Sequence, residues 1–416
     1  MMSARWIIIV FVLIVFTGCS SSIKKAEVTE PTNGGFTIKE ISNGLPTDGL
    51  FRQNLVLYDV NNDGFPDIVT PPPRKAEVKD KKPHVFIWEK ERLEWIRADY
   101  KFPDIEGYDY GGVDVGDVNK DGYFDIVLAN HVSRVMVLLN DGKNGFDEMP
   151  FNPGKPFYSR TIKITDLNSD GWPDLVALSE PPFVQGYKPL GLMIAINKEG
   201  KGWDISFIEK SFNIHGSSLD IRDYNGDKVL DIGLAPMTIK REDQKLIFFG
   251  RDGRYDEYVD GSNVLSDETI PFISASGDYD GDGIAEIVYL VSTGLGEKSR
   301  TYLTAFKWSD NSLIDISNGL VTKERVLTFT SNDFDNDGKD ELLVLSKAGF
   351  HILKYSDKIW REIFFQDIDY ERDIKGVYDI TSKRISDDSF LIVYNRGREN
   401  AEFHGIKGYL LRWQKG

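Results

Sequence analysis

Residues 59–69 read DVNNDGFPDIV, and the phrase returns at 117–127 as DVNKDGYFDIV and at 166–176 as DLNSDGWPDLV. Three variants follow: DYNGDKVLDIG at 223–233, DYDGDGIAEIV at 278–288 and DFDNDGKDELLV at 333–344. The skeleton is Asp-x-Asn/Asp-x-Asp-Gly-x-x-Asp/Glu, leading directly into β-branched or leucine residues. Successive copies start 58, 49, 57, 55 and 55 residues apart. Six near-copies at a near-constant period identify a repeat architecture. A seventh, decayed copy is read at Asp379 as DITSKRISD.

Each period holds four short stretches with alternating or β-branched character. In the first they fall at 54–58, 67–70, 84–88 and 93–97, and in the second at 112–115, 125–129, 134–139 and 145–149. No interval has the pattern of a long amphipathic helix. The expectation is an all-β, seven-bladed β-propeller of four-stranded antiparallel blades, whose radial stacking covers both faces of each sheet. An eight-bladed or open array is the alternative. The last unit supplies only three strands, at 374–379, 389–394 and 408–413, while 36–41 is spare ahead of the first repeat. The N-terminal strand is therefore expected to close the ring as the outer strand of blade seven. FTIKEISNGLP at 36–46 has an echo in LIDISNGL at 313–320, where the outer strand of blade five is expected.

Oxygen donors fall at positions 1, 3, 5 and 9 of every copy. They are Asp59, Asn61, Asp63 and Asp67; Asp117, Asn119, Asp121 and Asp125; Asp166, Asn168, Asp170 and Asp174. The later copies offer Asp223, Asn225, Asp227 and Asp231; Asp278, Asp280, Asp282 and Glu286; Asp333, Asp335, Asp337 and Glu341. Ca²⁺ takes six to eight oxygens in flexible geometry, and glycine at position 6 permits the tight turn. Zinc or copper would want His or Cys, which these turns lack. An EF-hand needs a glutamate at position 12, where Thr70, Leu128, Ala177, Leu234, Tyr289 and Val344 stand instead. The competing reading is a metal-free hairpin turn, for which Asp, Asn and Gly are also suited. Repetition favours the ion, because uncompensated clusters of carboxylates repel one another. Up to six Ca²⁺ are expected, with the Asp223 site weak because Lys228 replaces glycine. None is expected at the seventh copy, where Thr381 and Lys383 replace ligands and the ammonium group stands in for the cation.

These repeats resemble the FG-GAP/VCBS family, propeller modules found also in the head of integrin α chains. The resemblance covers residues 36–416, although the literal Phe-Gly and Gly-Ala-Pro signatures are mostly absent. It implies a seven-bladed ring with calcium between the first and second strand of a blade. It implies no single function, since relatives serve in adhesion, in sugar binding and as domains attached to enzymes.

The rest of the chain narrows location and partner. With 66 acidic against 50 basic residues and a net charge of −16, a nucleic-acid partner is disfavoured. Arg5, the apolar run 6–16 and Thr17-Gly18-Cys19 form an export signal over 1–18. Its ending resembles the lipobox of bacterial lipoproteins, which makes Cys19 the lipidated residue; an ordinary signal peptide is the alternative. The apolar run is short of the roughly 20 residues that span a bilayer. Residues 19–35 read as a flexible tether, and Ser20 suits outer-membrane sorting in the cell envelope.

Variable loops at 71–83, 99–111, 150–159, 181–190 and 395–407 are expected on the face opposite the acidic turns. Arg52, Tyr110, Tyr158, Arg160 and His215 precede the inner strands there, placed to meet a protein or glycan partner at the channel mouth. No zinc-protease pattern, nucleophile elbow or phosphate loop occurs. The expected function is a non-catalytic binding module on a monomeric propeller. The alternative is a carbohydrate-binding protein, or a polysaccharide-acting enzyme on the same scaffold.

Overall fold

The computed structural model describes residues 35–75, 81–266, 268–293, 300–322, 324–397 and 404–414; the export signal, Cys19 and the tether up to residue 34 lie outside them. Seven sheets of four antiparallel strands form the ring. Blade one is β2 (Val56–Tyr58), β3 (Asp67–Thr70), β4 (His84–Glu89) and β5 (Glu94–Arg97), within two residues of the stretches read from sequence. Six of the seven second strands, such as Asp125–Asn130 in blade two, are buried along their whole length, and that of blade five, Glu286–Thr293, is buried up to Val291. Sheets pack on both of their faces, so their sequences are continuously apolar instead of alternating. Alternation survives on outer strands such as Trp203–Phe207, where one face meets solvent.

The core lies between blades. Val69 and Val85 of blade one pack with Val113, Ile126, Leu128 and Met136 of blade two. The last such cluster joins Leu57, Ile68 and Trp88 of blade one to Leu391 and Val393 of blade seven, so the ring is closed. The N-terminal strand completes blade seven as expected. β1 (Phe36–Glu40) pairs antiparallel with β28 (Gly405–Trp413), Phe36 opposite Trp413 and Glu40 opposite Tyr409. Phe36 is buried with its ring 5.6 Å from Phe364, and Lys407 Nζ lies 2.5 Å from Glu40 Oε1.

The echoed sequence is a pair of equivalent clasps. Ile41-Ser-Asn-Gly-Leu45 leaves blade seven and docks on Trp95 of blade one: Trp95 N–H donates to Asn43 O at 2.8 Å. Ile316-Ser-Asn-Gly-Leu320 leaves blade five and docks on Trp360 of blade six in the same way, with Trp360 N–H on Asn318 O at 2.8 Å. Gly44 sits at φ +86, and a Cβ there would lie 2.0 Å from Trp95 O.

One expectation fails. Asp379, Thr381 and Lys383 lie within the unbroken inner strand of blade seven, β26 (Val377–Ser386), not in a turn. The turn of that blade has contracted to residues 387–388, with Ser386 paired directly to Ser389. The alternating polar residues of a channel-lining strand imitate the ligand spacing of the repeat.

Candidate functional site

The six acidic turns lie on one face of the ring, each joining the first strand of a blade to its second. In blade one, Asp59 Oδ1 accepts Asp63 N–H at 3.0 Å and Oδ2 accepts Gly64 N–H at 2.8 Å. Asn61 Oδ1 accepts Asp63 N–H at 3.1 Å, while Asn61 Nδ2 donates to Asp63 Oδ2 at 3.0 Å. The same set recurs around Asp117 and Asp166. At Asp223 the turn survives the loss of glycine: Lys228 adopts φ 68 and still donates its N–H to Asp223 Oδ2 at 2.8 Å. First-position carboxylates thus fold the turn, and the ninth-position acid anchors it. Asp67 Oδ2 accepts Val60 N–H at 3.0 Å and Oδ1 accepts Trp88 N–H at 3.1 Å, tying the turn to the third strand.

Burial raises the carboxyls of Asp67, Asp125 and Asp231 to about 7, against the lowering by their backbone N–H donors. Burial likewise raises Glu286 and Glu341 to about 7. A cation beside these groups would offset the cost of holding them charged.

Blades five and six differ. Lys307 Nζ lies 2.5 Å from Asp280 Oδ2, 2.6 Å from Asp282 Oδ2 and 3.2 Å from Glu286 Oε1. Lys354 Nζ lies 2.5, 2.8 and 2.9 Å from Asp335, Asp337 and Glu341. Burial pulls both ammonium groups down, yet their carboxylate partners hold them well above the ordinary lysine range.

A cavity of about 750 Å³ runs along the inner strands. Asp114, Lys163, Asp220, Asp379 and Lys383 line it, with Ser217, Ser218 and Ser274. Burial raises Asp114 and Asp220, and it raises Asp379 to about 6, with Ile380 N–H and then Lys163 opposing it.

At the opposite face from the turns, Arg52 and Gln53 sit on the lip of this cavity. The Arg52 guanidinium carbon is 5.4 Å from the Tyr110 ring centre and 5.0 Å from that of Tyr378. The Arg74 guanidinium also lies over Tyr110, 5.1 Å from its ring centre. Tyr110 itself is buried and packs on His131, ring centres 4.6 Å apart. His131 Nδ1 lies 2.6 Å from Glu180 Oε2, and Arg160 Nε lies 3.3 Å from the same oxygen. The structure therefore brings Arg52, Tyr110 and Arg160 into one network, but Tyr110 and Arg160 are packed within it instead of presented. Tyr158 packs against Tyr187 with ring centres 4.5 Å apart and planes tilted, and His215 has its Nδ1 buried and feels the charge of Arg160. Glu180, His131, Gln53 and Arg74 were missed in the sequence; Glu180 is the buried acid at the end of a strand, just before Pro181-Pro182. The loops of this face also expose Phe183, Phe212, Ile239 and Val321.

A closed ring of seven four-stranded blades, six of them carrying an acidic turn on one face, defines a seven-bladed β-propeller. A family model described as FG-GAP-like repeat matches residues 59–128 and 117–177, in blades one to three. A search of curated protein sequences finds no match. Among solved structures, an ancestral GH74 enzyme aligns with a TM-score of 0.54 at 10% identity, over 89% of this chain and 48% of its own. An Agrocybe aegerita lectin described as recognising non-reducing terminal N-acetylglucosamine aligns with a TM-score of 0.47 at 13% identity, over 78% and 87% of the two chains. An α-L-arabinofuranosidase, Arb93A of Fusarium graminearum, aligns with a TM-score of 0.45 at 11% identity, over 90% and 97%. At these identities the likeness is one of fold.

Proposed function

We propose that the chain is a calcium-stabilised, lipid-anchored interaction module of the bacterial cell envelope, without catalytic activity, which recognises a glycan or protein partner at the channel mouth. The observation that carries this is the basic and aromatic mouth on a chain of net charge −16. Arg52 lies over two tyrosine rings at the lip of the cavity. Buried Gln53 there offers an Nε2 donor that has no partner among the described residues. Aromatic faces and guanidinium forks are the groups that hold sugar rings, carboxylates and peptide carbonyls.

The acidic turns of blades one to four fit a hard cation by donor type and by fold. Their donors are the four oxygen-bearing side chains of each turn, from Asp59, Asp117, Asp166 and Asp223 onward. Calcium supplies positive charge there and no bond-making chemistry. The chain's own residues do the rest: first-position aspartates hold the turn, and ninth-position aspartates tie it to the third strand.

The test uses the full chain on an array of acidic and neutral glycans and peptides, with and without chelator. Binding that falls at least tenfold in Arg52→Ala, and a melting temperature that rises on adding calcium, support the reading. Binding indifferent to Arg52, release of shortened saccharides, or no thermal response to calcium overturns the corresponding part of it.

A further inference from the structure

The six turns divide by the residue facing position 9. In blades one to four the ninth residue is Asp, and strand register sets it opposite Ile87, Leu139, Ile196 and Phe249. In blades five and six the ninth residue is Glu, and the register sets it opposite Lys307 and Lys354. Position 3 changes in step, from Asn in the first four turns to Asp in the last two.

These three changes make one chemical unit. In blades one to four the Asn side chain donates to the position-5 carboxylate, as Asn61 does to Asp63 Oδ2 at 3.0 Å and Asn119 to Asp121 Oδ2 at 2.8 Å. Asp280 and Asp335 have no such donor, and the lysine bridges positions 3 and 5 instead. The ninth residue follows the same logic. Asp125 spends both oxygens on backbone N–H groups, of Val118 and Asn140. Glu286 spends Oε2 on Tyr279 N–H at 2.8 Å, and its extra methylene brings Oε1 to Lys307. The formal charge of each set is unchanged: a fourth carboxylate enters together with one ammonium.

We infer that blades five and six carry a built-in cation, the Lys307 and Lys354 ammonium groups occupying the place of calcium, so that only blades one to four take up the ion. Among the described residues, these two turns are the ones in which three acidic side chains offer oxygens within 4.8 Å of one another. Acid count alone would rank them as the strongest calcium sites, and the lysines reverse that order. Blade six gains a further positive charge across the blade interface, since Arg384 of blade seven donates to Asp333 O and lies 3.3 Å from Asp333 Oδ2. The half of the ring holding blades five and six is thereby made independent of calcium supply.

The inference rests on the calcium reading for its ion count but can be separated from it. Calcium bound to the full chain is counted by equilibrium dialysis for the parent, Lys307→Met and Lys354→Met. The expected result is one additional ion in each variant, a melting temperature several degrees below the parent in chelator, and recovery on adding calcium. A parent that already fills all six turns overturns the inference and leaves the calcium reading standing. A parent that binds no ion sinks the calcium reading, and the chelator arm then decides: Met variants that melt with the parent overturn the built-in cation. Under the same conditions Asp280→Asn introduced into Lys307→Met is expected to recover stability, because it removes the repulsion the lysine had neutralised; a double variant no more stable than Lys307→Met also overturns it.

Discussion

The indole Nε1 of Trp95 donates to the carbonyl of Ile41 at 2.7 Å, joining the segment that follows the closing strand to the outer strand of blade one. Trp360 Nε1 makes the same bond to Ile316 O at 2.9 Å, between blades five and six. Trp95→Phe keeps most of the buried area and removes the donor, so it should cost about 1 kcal/mol. Gly44→Ala should cost more, because the added carbon meets Trp95 O at 2.0 Å and the backbone is left-handed. Urea midpoints of the parent and the two variants check the order; variants that unfold at the parent's midpoint would show that the clasp does not bear on stability.

Phe36 holds the closing strand in place from a buried position. Phe36→Ala should cost about 3–5 kcal/mol, in the range of large-to-small core changes. Hydrogen exchange should localise the loss to blade seven, with the amides of Leu410 and Arg412, opposite β1, gaining exchange first. Uniform acceleration around the ring would contradict this picture.

Asp379 gives the channel a pH signature. Its carboxyl is raised to about 6 by burial, so the folded chain holds that proton where the unfolded chain has released it. Its ionisation therefore subtracts from stability as pH rises from about 4 to about 6, by up to about 3 kcal/mol once complete. Asp379→Asn should gain on the parent across that window and hold a constant advantage above it. A pH-independent offset between the two melting curves would rule out a raised carboxyl.

Lys228 is the residue that makes the fourth turn atypical. At φ 68 it bears a left-handed strain of about 1 kcal/mol that glycine would not. Lys228→Gly should raise the urea midpoint in chelator, with the Asp223 hydrogen bond retained. An unchanged or lowered midpoint would show that the turn holds Lys228 without strain.

Blade count, strand positions and ring closure were legible because each is written in local composition repeated at a fixed interval. The first-to-second-strand turns were legible for the same reason. Blade seven was misread at Asp379, since no local rule separates a polar channel strand from a degraded turn. Lys307 and Lys354 were invisible as members of the turns: they lie 21 and 13 residues beyond Glu286 and Glu341. Only register across hairpins of unequal length places them opposite those acids. The mouth network was half-legible. Arg52 and Tyr110 stood out as residues ahead of inner strands, whereas the Glu180–His131 contact joins two loops that nothing in the sequence pairs.

β1 runs upward from the rim of the acidic-turn face, because Phe36 pairs with Trp413 beside the turn at 387–388. Gly35 is fastened there by its carbonyl, which accepts Gln414 N–H at 3.0 Å. Residue 35, where the described chain begins, thus lies on the underside of the disc. Arg52 with its tyrosines stands at the opposite rim, so the described chain enters the ring on the side away from the channel mouth.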